Sequence, residues 1–173
     1  MSLILLRHTR PDVAEGTCYG RTDLALAVGF AAEADRLADT LPPLAAVVTS
    51  PLARCRRLAE AIAARRGLTV QVDPRITEID FGRWEGVPWA DIPRAELDAW
   101  AADLLHARPH GGETVAELAG RVGAALADWR RGPRPLLAVT HAGVIKAVRV
   151  RRAGPAAWEG SLGWGMWETV ELD

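Results

Sequence analysis

The sequence predicts an α/β fold, a three-layer sandwich in which helices cover both faces of a mostly parallel central sheet. Short apolar runs alternate along the chain with longer stretches whose apolar residues recur at helical spacing. Most of the short runs are apolar throughout, as expected of parallel strands buried on both faces. No repeat, low-complexity tract or long linker divides the chain, so we expect residues 1–173 to form a single domain.

Five apolar runs are predicted to be strands. The fifth run alternates more clearly between apolar and polar residues than the others, which favours an edge strand. The predicted strands are Leu3–Leu6, Ala46–Thr49, Thr69–Val72, Leu136–Thr140 and Met166–Leu172.

Five stretches are predicted to be helices. Pro51–Arg66 begins with a proline at its first helical position and has Ser50 as its expected N-cap. Thr114–Trp129 begins with Thr114 and Glu117 in the spacing of a capping box. Weaker helical patterns cover about residues 29–41, 94–105 and 144–152.

Composition excludes several classes of function. The net charge of −1 does not favour a nucleic-acid or membrane-surface partner, since both usually require a basic excess. No apolar run approaches the ~18 residues of a membrane span, and the N-terminus lacks a signal-peptide pattern. Cys18 and Cys55 have no CxxC spacing and are expected to be reduced thiols. We therefore predict a cytoplasmic protein.

Nitrogen-rich side chains follow three of the predicted strands. Arg7 and His8 follow the first strand, Arg54 lies in the first turn of the helix after the second, and His141 follows "LLAVT". Because the carboxyl ends of parallel strands meet at one edge of a sheet, we expect these four side chains to lie close together. An arginine near a helix N-terminus is unfavourable unless an anion binds there, which singles out Arg54.

Two histidines beside two arginines suit chemistry at a phosphate group. A neutral imidazole is a good nucleophile toward phosphorus, and nearby arginines keep it neutral by lowering its pKa. The same guanidinium groups neutralise phosphoryl oxygens, so the pattern requires no metal ion or other cofactor. A metal site is disfavoured because no HxH or HExxH spacing occurs and because Arg7 beside His8 would repel a cation.

Five motifs in order identify a family resemblance. "LLRHT", "TSPLAR", "EIDFGRWEG", "HGGET" and "VTHAG" extend over about residues 3–148. In this order they resemble the histidine phosphatase superfamily, which implies the phosphoglycerate mutase-like fold and a phosphomonoesterase acting through phosphohistidine. The sequence departs from the family pattern at Thr9, where glycine is usual, and "TRPDVAEGTCYG" has no clear counterpart of the family's asparagine.

The resemblance implies roles for the residues at the strand ends. His8 would become phosphorylated, Arg7 and Arg54 would bind the phosphate, and His141 would complete the phosphate pocket. Glu78 would be the general acid that protonates the leaving oxygen, and its apolar neighbours would favour its protonated form. Asp80 is the rival for this role, because spacing alone does not separate the two carboxyl groups.

The substrate is predicted less directly. "SPLARC" and "EIDFGRWEG" are most similar to the alpha-ribazole phosphatase branch, which implies removal of the 5′-phosphate of alpha-ribazole in cobalamin biosynthesis. Tyr19, Trp84 and Trp89 are candidates for stacking on a flat heterocycle, with core packing as the alternative for the tryptophans.

Several alternatives stay open at this point. Relatives that act on sugar phosphates, phosphoserine or nucleotides share much of the same sequence, so a broad-specificity phosphatase is the alternative. A different class would be a catalytically inactive protein that binds a phosphorylated ligand, and a homodimer is compatible with each of these. His106 and His110 are expected to be exposed and are given no role, and "GSLGWGMWETVEL" is expected either to form a wall of the site or only the last strand.

Overall fold

The computed structural model describes residues 2–172 and contains a five-stranded sheet with helices on both faces. The strands are β1 (Ser2–Arg7), β2 (Ala46–Thr49), β3 (Val70–Val72), β4 (Leu136–Thr140) and β5 (Trp167–Glu171). The helices are α1 (Phe30–Thr40), α2 (Ala53–Arg66), α3 (Arg94–Ala102), α4 (Val115–Trp129) and α5 (Ala142–Ala153).

The sheet has the strand order β3-β2-β4-β1-β5 and is mostly parallel, as predicted. Parallel pairs join β2 to β3, β2 to β4 and β1 to β4, whereas β5 pairs antiparallel with β1 at the sheet edge. The prediction of an edge strand near the C-terminus is therefore confirmed. Within residues 2–172, no helix combines the length and apolarity that a membrane crossing demands.

The first strand shows how the sheet is covered on both faces. Leu3 and Leu5 pack into an apolar cluster with side chains of α4 and α5, while Ile4 and Leu6 pack into a second cluster with α1 and α2. All four leucine and isoleucine side chains are at most 1% exposed. Successive strand residues point to opposite faces, so a continuous apolar run is required to fill both layers.

The two strongest helix predictions had different outcomes. The capping box at α4 is confirmed, since Thr114 Oγ1 accepts from the Glu117 amide at 3.1 Å and the Glu117 carboxylate accepts from the Thr114 amide at 2.8 Å. The expected N-cap of α2 at Ser50 is wrong, because the helix begins at Ala53 and the Ser50 hydroxyl contacts His141 Nε2 at 2.8 Å. Asp23, from a distant loop, instead accepts from the Ala53 amide at 2.9 Å.

Candidate active site

The carboxyl ends of β1, β2 and β4 bring the predicted side chains to one edge of the sheet. His8 directly follows β1, His141 directly follows β4, and Arg54 lies in the first turn of α2. The ring centroids of His8 and His141 are 5.2 Å apart, with the rings inclined at 64°. All three side chains are at most 2% exposed. Polar groups this deeply buried require specific partners, and the structure provides them.

His8 is held with one ring nitrogen directed at a backbone carbonyl. Its Nδ1 lies 2.7 Å from the Thr9 carbonyl oxygen, which can only accept, so Nδ1 carries the hydrogen and Nε2 carries the lone pair. Burial and the positive charges of Arg54 and Arg7 lower the pKa of His8 to about 3, although the Thr9 hydrogen bond opposes this shift. The ring lines a cavity and is neutral at physiological pH.

Arg54 is fully buried and fixed by backbone carbonyl groups. Its Nη1 donates to the Thr22 carbonyl at 2.7 Å and its Nη2 donates to the Gly20 carbonyl at 2.6 Å. A side chain at Gly20 would place its Cβ 1.9 Å from the Ile79 carbonyl oxygen, so glycine is required for this approach. Among residues 2–172, the buried Nε atoms of Arg7 and Arg54 have no hydrogen-bond acceptor. Unpaired guanidinium donors beside a neutral imidazole suit a bound anion.

His141 lies behind His8, outside the cavity wall. Its Nε2 contacts the Ser50 hydroxyl at 2.8 Å and the Cys55 Sγ at 3.4 Å. Burial, the charge of Arg54 and the proximity of His8 lower the pKa of His141 well below its ordinary value. Burial raises the pKa of the Cys55 thiol, which is therefore a packed, unreactive group.

Glu78 is a buried carboxyl group in the lining of the cavity. Its Oε1 accepts from the Ile79 amide and its Oε2 accepts from the Gly143 amide, each at 3.0 Å. Burial raises the pKa of Glu78 despite the opposing effect of these hydrogen bonds and of Arg54. Asp80 instead accepts from the Gly82 amide and lies 3.9 Å from the Arg21 guanidinium, with 37% of its side chain exposed. The structure therefore places Glu78 beside His8 and Asp80 at the surface.

Arg121 supports the segment that carries Glu78, and sequence reasoning missed it. Its guanidinium donates to the Thr77 carbonyl at 2.6 Å and the Glu78 carbonyl at 3.1 Å, and it forms an ion pair with Glu113 at 2.6 Å. These contacts join α4 to the loop before Glu78. The Glu113 carboxylate of the "HGGET" motif is partly buried and therefore requires a cation, but its burial is visible only in the folded structure.

The cavity beside His8 has a volume of about 390 Å³, and six of its 19 lining residues are Trp, Tyr or Phe. Tyr19 and Trp89, two of the candidates for stacking on a flat heterocycle, line it. Trp84 does not: it is 2% exposed and its Nε1 donates to Glu96 at 2.8 Å, so it belongs to the core. Four further aromatic side chains line the cavity and were not predicted, namely those of Phe81, Trp100, Trp158 and Trp164.

His110 also departs from expectation. It is 1% exposed rather than solvated, and its Nδ1 accepts from the Gly112 amide at 3.0 Å. Its ring packs edge-on against Trp84, with 4.9 Å between ring centroids. The aromatic side chains around Trp84 therefore cover His110, although the sequence around His110 predicted an exposed residue.

The C-terminal segment forms part of the cavity wall and also ends in a strand. Arg7 Nη1 donates to the Leu162 carbonyl at 2.6 Å, and the Gly165 amide donates to the His8 carbonyl at 3.1 Å. The Trp164 ring lies 5.1 Å from the Arg7 guanidinium carbon, and its Nε1 donates to the Tyr19 hydroxyl at 3.3 Å. Both alternatives for "GSLGWGMWETVEL" are thus realised, in successive parts of the segment.

Comparison with known proteins agrees with this geometry. Residues 3–160 match the model of the histidine phosphatase superfamily (branch 1). Glucosyl-3-phosphoglycerate phosphatase of Mycobacterium tuberculosis is 34% identical over 164 residues, covering 84% of this chain and 72% of that protein. Adenosylcobalamin/alpha-ribazole phosphatase of Escherichia coli is 27% identical over 186 residues, covering 100% of this chain and 91% of that protein.

A solved structure supports the same assignment. The structure of mycobacterial glucosyl-3-phosphoglycerate phosphatase with VO3 superimposes with a TM-score of 0.86 at 31% identity, covering 98% of this chain and 92% of that one. The family match extends over all five motifs and over the strand ends that carry His8 and His141. The chain therefore belongs to the histidine phosphatase superfamily and is one of its phosphatases.

Proposed function

We propose that the protein hydrolyses a small phosphate monoester through a phosphohistidine at His8, without a metal ion. The observation that carries this proposal is the state of His8, a buried neutral imidazole whose Nδ1 is bound to the Thr9 carbonyl and whose Nε2 is free to attack. Arg7 and Glu78 line the same cavity as His8, and the charge of the buried Arg54 guanidinium acts on the His8 ring. A nucleophile, a cation and an acid in one cavity support this proposal.

In the first step, His8 Nε2 attacks phosphorus and the bond between phosphorus and the ester oxygen breaks. Glu78 donates its proton to the departing oxygen, which leaves as an alcohol. The guanidinium groups of Arg7 and Arg54 stabilise the charge on the phosphoryl oxygens. His8 becomes positively charged as the P–N bond forms, and its Nδ1–H continues to donate to the Thr9 carbonyl.

In the second step, water replaces His8 at phosphorus. The Glu78 carboxylate accepts a proton from this water as it attacks, the P–N bond breaks, and inorganic phosphate departs. Glu78 regains its proton and His8 becomes neutral, so one cycle restores both groups. We assign to His141 the closing of the phosphate pocket on its buried side, a position supported by its hydrogen bond with Ser50.

Hydrolysis of p-nitrophenyl phosphate in the presence of EDTA tests the reaction. The wild-type protein is expected to retain full activity in EDTA, and His8→Ala should reduce kcat by about 10⁴-fold or more, because the nucleophile is removed. His106→Ala is the matched control, since the His106 ring is 70% exposed and lies outside the cavity. Rapid quenching should trap a protein-bound phosphate that is labile in acid and stable in alkali.

Three results would contradict the proposal. Activity that disappears in EDTA and returns with a divalent cation would show that a metal is required. An active His8→Ala protein would move the nucleophile elsewhere. Saturable binding of phosphate esters without turnover would favour the alternative of an inactive phospho-ligand-binding protein.

Two substrates have specific support. We propose alpha-ribazole 5′-phosphate because Tyr19, Trp89 and the other aromatic side chains of the wall suit a flat heterocycle. Glucosyl-3-phosphoglycerate is the second candidate, supported by the higher identity of the mycobacterial phosphatase. The kcat/KM values for both esters should be ranked against those for sugar phosphates, phosphoserine and a nucleotide. A clear advantage for one of the two esters would distinguish a selective enzyme from a broad-specificity phosphatase. A flat ranking would favour broad specificity.

A further inference from the structure

Lys146, the only lysine of the chain, presents a cation to the cavity beside the proposed reaction centre. It lies on α5 one turn beyond Gly143, and both residues line the cavity. Its Nζ lies 5.4 Å from the centroid of the Trp158 ring. Within residues 2–172, no carboxylate oxygen lies within ion-pair distance of this Nζ.

Arg149, one turn beyond Lys146 on α5, provides a comparison because a carboxylate neutralises its charge. Arg149 is also only partly exposed, and it forms a bidentate ion pair with Glu168, with Nε to Oε1 at 3.1 Å and Nη2 to Oε2 at 2.5 Å. Lys146, one turn earlier, faces the cavity and has an aromatic ring in place of a carboxylate. A partly buried cation without a counter-ion is unfavourable unless a ligand supplies the negative charge.

The charges facing Lys146 favour an anion on balance. Arg7 from β1 and Arg149 on its own helix are positive, and Glu78 from the preceding loop is the carboxyl group whose charge it feels. Glu78 must carry a proton when it acts as general acid, so it does not neutralise Lys146 at that stage. Glu15 also lines the cavity, but it lies on an exposed part of the loop after β1.

We propose that Lys146 binds a second negatively charged group of the substrate, a carboxylate or a further phosphate, in the part of the molecule that is not hydrolysed. This inference rests on the proposed function and narrows its substrate class to esters with a second anionic group, which favours glucosyl-3-phosphoglycerate over alpha-ribazole 5′-phosphate. The ammonium group has three N–H donors, and its contact with the Trp158 ring leaves donors available for an oxyanion. Since the same cavity contains His8, one small ester can reach both groups.

A matched pair of substrates tests this role. 3-Phosphoglycerate and sn-glycerol 3-phosphate both carry a phosphate on a primary alcohol beside a secondary hydroxyl, and they differ by a carboxylate in place of a hydroxymethyl group. For the wild-type protein, kcat/KM for 3-phosphoglycerate should exceed that for glycerol phosphate by about 10- to 100-fold, the effect of one charge-assisted hydrogen bond.

Variants then assign the preference to Lys146. Lys146→Met should bring the ratio of the two kcat/KM values close to one, mainly through KM for 3-phosphoglycerate, while Lys146→Arg should keep most of the ratio. Because each ratio is taken within one variant, a general loss of folded or active protein cancels. Arg56→Met is the control for losing a cation, since the Arg56 side chain is 46% exposed on α2 and pairs with Glu60 at 3.7 Å.

The outcomes separate this inference from the proposed function. A wild-type protein that hydrolyses p-nitrophenyl phosphate but shows no preference for 3-phosphoglycerate would overturn the role of Lys146 and leave the phosphatase mechanism standing. A preference that persists in Lys146→Met would overturn it as well. Absence of hydrolysis of all these esters by a folded wild-type protein would instead contradict the proposed function.

Discussion

The two sides of the candidate active site are built from different kinds of structure. The floor, which we define as Arg7, His8, Arg54 and His141, is largely buried and lies at or just beyond the ends of parallel strands. The wall, which we define as Tyr19, Trp89, Lys146, Trp158 and Trp164, is partly exposed and comes from loops, short 3₁₀-helices and α5. Hydrogen bonds fix the floor, whereas cation–ring contacts and packing shape the wall.

This difference separates chemistry from selectivity. A floor fixed by directional hydrogen bonds holds the imidazole and guanidinium groups in one geometry, as a preorganised reaction centre requires. A wall of aromatic side chains imposes shape and charge with fewer directional constraints, so its residues can change while the reaction stays the same. Substitutions in the floor should therefore affect all substrates, and substitutions in the wall should affect some of them.

After the loss of the His8 nucleophile, the largest effect on turnover is expected at Glu78, where floor and wall meet. Glu78→Gln keeps the shape of the side chain but cannot protonate a leaving alcohol, so kcat for an alkyl phosphate should fall by about 10²- to 10⁴-fold. Turnover of p-nitrophenyl phosphate should fall much less, since its leaving group needs no proton. The test compares kcat for the alkyl phosphate with kcat for p-nitrophenyl phosphate, both measured on one preparation of each protein. Equal losses on the two substrates would assign Glu78 a structural role.

Arg54 provides a test of the floor itself. Arg54→Lys preserves the positive charge, but a single ammonium group cannot bond the Gly20 and Thr22 carbonyls and a phosphate at once. We expect kcat to fall by about 10²- to 10³-fold on every substrate, as when a transition-state donor is lost. The corresponding wall variant, Lys146→Arg, should show a much smaller loss that depends on the substrate. Similar losses in both would remove the distinction between floor and wall.

The floor was predictable from the sequence and the wall largely was not. Arg7, His8, Arg54 and His141 stand next to strands that are recognisable as apolar runs, and the rule for parallel sheets then brings them together. Lys146 and Trp164 reach the cavity through the packing of α5 and of the C-terminal segment, which are long-range contacts without a local signal. The fold class was accessible for the same reason as the floor, because periodicity is local.

The wrong predictions for Ser50 and His110 also arise from long-range contacts that have no local signal. Ser50 has the composition and position of an N-cap, yet its hydroxyl contacts His141, 91 residues away, and Asp23 supplies the acceptor for the start of α2. His110 lies between glycine and proline residues typical of an exposed loop, but the aromatic cluster around Trp84 covers it. In each case a distant partner outweighs a local preference, and sequence patterns do not encode distant partners.

Acidification should destabilise the folded protein through its buried histidines. Burial is the main cause of the lowered pKa of His8, His110 and His141, so below pH ~6.5 the unfolded chain binds protons that the folded protein does not. The free energy of unfolding should therefore fall as the pH decreases from about 6.5 towards the pKa of His8, which is about 3. Glu78, with a raised pKa, acts in the opposite direction.

Urea titrations of the wild type and of His8→Asn at pH 7, 6 and 5 measure this effect. Over this range histidines dominate the proton uptake of the unfolded chain, so His8→Asn should flatten the dependence of unfolding free energy on pH. An unchanged slope would show that His8 is not a buried neutral group. His106→Asn, a change at an exposed ring, should leave the slope close to that of the wild type.

The smallest expected effects come from two helical glycines that differ in what surrounds them. A Cβ at Gly143 would lie 2.3 Å from Glu78 Oε1, whereas a Cβ at Gly120 on α4 would meet no atom within 4 Å. Gly120→Ala should raise the free energy of unfolding by about 0.5–1 kcal/mol, because alanine restricts the unfolded chain. Gly143→Ala should lower it by about 1–3 kcal/mol and displace the Glu78 carboxyl group. That displacement should reduce alkyl phosphate turnover more than turnover of p-nitrophenyl phosphate, in the same sense as Glu78→Gln. If Gly143→Ala behaves like Gly120→Ala in both stability and turnover, Glu78 does not depend on the start of α5 for its position.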